Sequence, residues 1–257
     1  MALQRTSIRY KHSRCPHYYL CNYLPLSAGK DTLSYSLLKF KQGRQPDLDG
    51  WIDCSLELLA AIPIQPGTTI VRALHHQETT LTPGKDTSLD LLGKALATRF
   101  QCRYQPGLLR KSRPSREIKG FSRQQRRTEL QDLYYINKSN LPAAHPISPG
   151  DHIPPPAPFP SLPAAPEANR FLIIDDILTT GTTMEMIIAA IREQFPGSCL
   201  TAFTLAKSDY DAQLNQSIPL KGQHYQLEQG AGWLVAEDEE TYYSAGQLRS
   251  WILADSF

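Results

Sequence analysis

No apolar run in the chain approaches the roughly 18 residues that a membrane-spanning helix needs. The opening, MALQRTSIRYKHSRC, lacks the apolar core of a secretory signal. Cysteine is scarce: five in 257 residues, an odd number with no paired CxxC spacing. That pattern excludes a disulfide framework and leads us to expect reduced thiols in the cytoplasm. Charge of one sign is missing too. With 27 Lys and Arg against 25 Asp and Glu, the formal net charge is +2, so the field of the whole molecule does not select nucleic acid as a partner. No internal repeat is evident, and the length is sufficient for a real core.

Proline, by contrast, is plentiful and unevenly placed. Ten of the 20 prolines fall between Pro142 and Pro166. A stretch so poor in backbone donors is neither helix nor strand, and we expect an extended loop or linker there. On either side of it the pattern alternates. HYYLCNYLPL reads as an aromatic-rich strand or extended arm, Leu33 to Gly43 as a short helix ended by Gly43, and Ser55 to Ile62 as a helix stopped by Pro63. The β-branched run Thr69 to Leu74 reads as a strand ending at His75 and His76. In the following helix Ser88 is the expected cap, Asp90 sits in the first turn, and Leu89, Leu92, Leu96 and Phe100 mark one face.

Beyond the proline tract, RFLIID is a continuous apolar run ending in acids, hence a strand buried on both faces. Met184, Ile187, Ile188, Ile191 and Phe195 then recur at helical spacing until Pro196-Gly197, and Cys199 to Ala206 is the next strand. Strand, helix and strand with short connections form a βαβ unit. The fold class is therefore α/β, a parallel sheet flanked by helices. Ligands of such sheets bind at the carboxyl ends of the strands, where Asp175 and Asp176 lie.

Between that strand and helix runs Asp175-Asp176-Ile177-Leu178-Thr179-Thr180-Gly181-Thr182-Thr183. A strand-to-helix turn exposes the first unpaired N–H groups of the helix, and the helix dipole adds positive potential. Gly181 permits a positive φ and close approach of an anion, and the threonine hydroxyls add neutral donors. The carboxylates would repel a phosphate set against them but can accept hydrogen bonds from vicinal hydroxyls. A ribose 5-phosphate satisfies both halves. The turn is not a Walker-type loop, because no Lys follows the Gly, nor a dinucleotide fingerprint, because it holds a single Gly.

This segment, Phe171 through Thr183, resembles the binding motif of the type I phosphoribosyltransferases, which use 5-phospho-α-D-ribose 1-diphosphate (PRPP). The resemblance implies that Asp175 and Asp176 hold the ribose 2′- and 3′-hydroxyls. It implies that Thr179, Thr180, Gly181, Thr182 and Thr183 bind the 5′-phosphate, and that Mg²⁺ accompanies PRPP. A second stretch is similar to the ComF branch of that family: Leu108-Leu109-Arg110-Lys111-Ser112-Arg113-Pro114, then Gly120-Phe121-Ser122 running to Arg126-Arg127, then the short strand Tyr134-Tyr135-Ile136. Eight cations against one acid, Glu117, lie between Arg110 and Arg127. A basic loop closing over a diphosphate is one reading, with Arg113, Arg116 and Lys119 as contacts; a solvated or DNA-binding face is the other. By position in the family, Arg72, Leu74, His75 and His76 are further diphosphate candidates, although Arg72-Ala73 replaces the Pro-bearing segment usual in that branch.

ComF-like chains often begin with a Cys-rich zinc module. Here only His12, Cys15, His17 and Cys21 remain, without paired spacing, so a degenerate module is expected and zinc is not. The organisation expected is an amino-terminal extension, 1–30, and a phosphoribosyltransferase-like domain, 31–257, with 142–166 inserted. The partners implied are PRPP, a base or amine acceptor and a second copy of the chain. Three functions stay open: a transferase, a PRPP- or nucleotide-sensing regulator on the same fold, and an accessory protein of DNA uptake or metabolism touching single-stranded DNA. Residues 208–257 resemble no motif. Trp233, Tyr242 and Tyr243 could stack on a base, though core packing is the plainer account.

Overall fold

The computed structural model describes residues 3–11, 13–23, 32–80, 84–117, 121–137, 139 and 169–208. Along them run β1 (Gln4–Tyr10), β2 (Ser13–Tyr23), α1 (Thr32–Lys41), α2 (Asp47–Leu59), β3 (Thr69–Arg72), α3 (Ser88–Phe100), β4 (Arg103–Tyr104) and β5 (Leu109–Lys111). After these come α4 (Arg123–Leu130), β6 (Tyr134–Ile136), β7 (Arg170–Leu178), α5 (Thr182–Gln194) and β8 (Cys199–Ser208). The six-stranded sheet has the order β1-β2-β8-β7-β3-β4. Every pairing in it is parallel except that of β1 with β2. Strands β5 and β6 form a separate antiparallel ribbon. The expected α/β architecture, a mostly parallel sheet with helices, is the one observed.

Alternation along the central strands explains the layers. Ile70, Leu172, Ile174, Phe203 and Leu205 face α1, α2 and α3 through Leu37, Phe40, Trp51, Leu59, Leu92 and Leu96. Val71, Phe171, Ile173, Leu200 and Ala202 face the other way, toward Met184, Ile187, Ile188 and Ile191 of α5 and Leu109, Tyr134 and Ile136 of the ribbon. A strand covered on both sides must be apolar at every position, hence the unbroken run from Phe171 to Ile174.

Several boundaries differ from the sequence reading. Within the stretch 1–30, expected as an amino-terminal extension, β1 and β2 are two strands of the sheet, with β2 paired to β8 from His17↔Ala202 to Tyr23↔Ser208. Helix α2 begins at Asp47 rather than near Ser55, with Asp47 and Asp49 in its first turn. The cap of α3 is Thr87, which exchanges bonds with Asp90 in a capping box, while the Ser88 hydroxyl donates to Phe40 O. Strand β7 continues through both acids to Leu178. The proline tract, His12, Lys119 and residues 209–257 lie outside the described residues. Among those described, no helix is long and apolar enough to cross a membrane.

Candidate functional site

Strand β3 ends opposite Ile174, one residue before the two acids of β7, because Ala73 N donates to Ile174 O at 2.9 Å just past the last rung of their pairing. The loop after β3, with His75 and His76, therefore leaves the sheet beside Asp175 and Asp176, and β7 runs on to Leu178 before the turn into α5. Gly181 begins α5 at φ 79°, a left-handed conformation that favours glycine. No side chain caps this helix, so its first N–H groups are not satisfied from within the turn. The Thr180 and Thr182 hydroxyls lie 3.1 Å apart, and Thr179 is exposed. The five residues assigned to a phosphate are thus brought together in one turn.

The two acids diverge, as adjacent side chains of a strand must. Asp176 pairs with Lys41 at the end of α1, 2.9 Å away. Burial works against the Lys41 ammonium, but Asp176 and then Asp175 outweigh it and raise its pKa. Asp175 accepts from Asp176 N at 2.9 Å and lies within electrostatic reach of Lys111 and Tyr134 on the ribbon. Burial, then the adjoining Asp176, pushes the Asp175 carboxyl well above the ordinary carboxylate range.

Lys111 is a buried cation at this end of the sheet. Its ammonium donates to Leu74 O at 3.1 Å and His75 O at 2.7 Å, and it lies 5.4 Å from the Tyr134 ring centroid. Burial lowers its pKa to about 8, with Glu78 and Asp175 pulling the other way. Ser115 N donates to His76 O at 2.8 Å. The loop after β3 is therefore held through its carbonyls, and its two imidazoles, 4.0 Å apart, are left toward the surface. Burial and then His76 hold the His75 imidazole below its usual value.

Other assignments made from the sequence change. Arg72 is not a surface cation awaiting a diphosphate: it is 2% exposed and donates to Asp90 at 2.6 Å, to Glu78 at 2.8 and 3.0 Å, and to Ala73 O at 3.0 Å. The Leu74 side chain is core. Arg113 is turned onto α4, donating to Glu129 Oε1 at 2.9 Å and Glu129 O at 3.0 Å, and Arg116 N donates to the same carboxylate at 3.0 Å. Cys15 and Cys21 sit six residues apart on extended β2, a span of about 20 Å at ~3.3 Å per residue, too far to share one ion. His17 between them is fully buried and bonded to Thr204 Oγ1 at 2.8 Å. Among the described residues no three His, Cys, Asp or Glu side chains cluster as a metal site would require.

Sequence reasoning missed Lys41, read Lys111 only as one cation of the basic stretch, and read Arg126 with Arg123 and Arg127 as a contact for single-stranded DNA. Arg126 of α4 donates to Thr179 Oγ1 at 3.0 Å, and Arg127 donates to Glu185 of α5 at 3.0 Å. The signal was present: Ser122-x-x-Gln125 is a capping box that starts a helix at Arg123, and the box is formed.

No family model matches the chain, and no curated protein matches it. Among solved structures it is similar to adenine phosphoribosyl transferase from Trypanosoma brucei, in a complex with AMP, pyrophosphate and ribose-5-phosphate. That likeness has a TM-score of 0.35 and 13% identity, over 73% of this chain and 76% of the other. At that distance no residue correspondence follows from it, and the site stands on its own geometry.

Proposed function

We propose that the chain is a phosphoribosyltransferase-like protein of the ComF-like branch. In this reading it binds PRPP and transfers ribose 5-phosphate to a nitrogenous base or amine with release of diphosphate. One observation carries the reading: a helix N-terminus without a side-chain cap, opened by Gly181 at φ 79° between Thr179-Thr180 and Thr182-Thr183, follows two carboxylates near the carboxyl end of a parallel strand. In this reading the phosphate takes the N–H groups of the turn. Asp175 accepts from a ribose hydroxyl and favours positive charge developing on the sugar as diphosphate leaves C1. The loop held by Lys111 lies beside it on the diphosphate side. In this reading Mg²⁺ would accompany PRPP, held chiefly by substrate oxygens and water, and would neutralise diphosphate charge.

The Lys41–Asp176 pair favours a second reading, a PRPP- or nucleotide-sensing protein without turnover. Asp176 reaches a ribose hydroxyl only in competition with an ammonium 2.9 Å away. Single-stranded DNA gains less support, since Glu129 and Glu185 already pair Arg113 and Arg127.

The test is diphosphate release from PRPP and Mg²⁺ over a panel of bases and amines, beside calorimetric titration of PRPP alone. Transfer predicts release that falls at least about 100-fold in Asp175→Asn, the usual scale for a lost transition-state contact. Binding without release on any acceptor selects the sensor. Absence of PRPP binding in the wild-type protein refutes both.

A further inference from the structure

Most of the cations described above are paired with acids, whereas the Lys111 ammonium is taken up by the carbonyls of Leu74 and His75. Arg127 has Glu185, Arg113 has Glu129, Lys41 has Asp176, and Arg72 has Glu78 and Asp90. Arg126 is only 9% exposed, yet its side-chain bonds go to neutral oxygens, Phe121 O at 2.9 Å and Thr179 Oγ1 at 3.0 Å. Among the described residues no carboxylate accepts from it. A guanidinium withdrawn from water with no countercharge is costly, and an anion beside it removes the cost. Its terminal nitrogen points at the first residue of the turn that leads into α5, whose N-terminus has no side-chain cap. Glu185, the acid in the first turn of α5, is already neutralised by Arg127. The field at the turn is therefore positive from two independent sources, helix and guanidinium.

We infer that Arg126, reaching from α4 to Thr179, is the cation that fixes a phosphate monoester dianion in the turn 179–183, so that the site accepts phosphorylated sugars and rejects their unphosphorylated counterparts. The inference rests on the phosphoribosyl reading above and adds the group that sets its charge selectivity. Planar, permanently charged guanidinium suits a phosphate better than the hydroxyls and amides of the turn alone. Because Arg126 comes from α4, which lies against α5, the basic stretch serves the sugar end of the ligand through this residue and not only the diphosphate end.

The experiment titrates ribose 5-phosphate, ribose and PRPP calorimetrically into the wild-type protein, Arg126→Gln and Arg126→Lys, with melting temperatures of the ligand-free proteins as a check on folding. Arg126→Gln is expected to weaken ribose 5-phosphate about 10- to 100-fold, the range of one charge-assisted hydrogen bond, and Arg126→Lys less. Ribose should bind all three proteins equally poorly. In ³¹P spectra the bound ester should titrate below its free value of about 6 in the wild type and move back up in Arg126→Gln, a change that a purely structural tie between α4 and the turn would not produce. Equal ribose 5-phosphate affinity, or an unmoved phosphate titration, in a folded Arg126→Gln protein overturns the role of Arg126 and leaves the phosphoribosyl reading intact. Should Arg126→Gln not fold, Arg126→Met, which keeps the apolar length and removes the charge, takes its place, and an unmoved phosphate titration there overturns it equally. Failure of the wild-type protein to bind either phosphate ester overturns both.

Discussion

Replacing Arg72 with Met separates its structural role from the ligand-binding role that its position in the sequence suggests. Met keeps the apolar length of the side chain and deletes the guanidinium. Two carboxylates then lose their cation. Asp90 is buried but retains Tyr104 Oη at 2.6 Å, Thr87 N at 2.8 Å and Thr87 Oγ1 at 2.7 Å. Glu78, 17% exposed at its side chain, retains His75 N at 2.7 Å. Removing one partner of a buried ion pair costs about 3–5 kcal/mol. The neutral donors left to both acids place Arg72→Met near ~3 kcal/mol, the lower end of that range. For a domain of this size that is a fall in Tm of roughly 6–12 °C.

The assay is urea denaturation at pH 7 of the wild type, Arg72→Met, Asp90→Asn and the double variant. Loss of the bond should make the double variant clearly less unstable than the sum of the singles, as expected for partners in contact. The loop 73–80 should loosen as well, since Glu78 ties it to Arg72 at both carboxylate oxygens. A loss below about 1 kcal/mol with additive singles would refute the reasoning. So would a variant of native stability that had lost only PRPP binding, because that would return Arg72 to the ligand.

How much of this was legible in the sequence depends on whether the deciding contacts are local. The unit from β7 through α5 to β8 is readable because Phe171 to Ile174 are apolar at every position and Met184, Ile187, Ile188 and Ile191 recur at helical spacing. The glycine-containing turn between them is readable for the same reason, being one strand-to-helix connection. The first half of α2 is not, because its buried face mixes Leu48, Gly50 and Trp51 with polar Ser55, whose hydroxyl is satisfied by Trp51 O at 2.7 Å. Arg72 misleads because its acids lie 6 and 18 residues away, and a charge in a β-branched run gives no sign of burial. His17 reads only as a remnant of a degenerate zinc module because its actual partner, Thr204, is 187 residues distant. That contact exists only because β2 joins β8, a long-range parallel pairing that no local pattern announces. Divergence of Asp175 and Asp176 could have been read directly, once the strand was allowed to run through them.

Two further outcomes test the packing. A Cβ added at Gly93 in α3 would stand 2.2 Å from Tyr104 Cε2 and 2.6 Å from Cδ2, and that ring is held by its bond to Asp90. Gly93→Ala should therefore cost about 1–3 kcal/mol in urea melts despite the better helix propensity of Ala, and a stabilised variant would show that the ring moves freely. His17 gives the pH dependence. It is fully buried beside Thr204, its Nδ1 has no partner, and burial, with Lys207 adding, lowers its pKa from 6.5 to about 4. Between those values the unfolded chain takes up a proton that the folded protein refuses, so stability falls as pH drops through the window. At about 1.4 kcal/mol per unit, the change approaches ~3 kcal/mol by pH 4. The stability difference between wild type and His17→Gln should shift against the wild type by that amount from pH 7 to pH 4. A difference that stays constant with pH would mean that His17 takes up its proton as readily folded as unfolded.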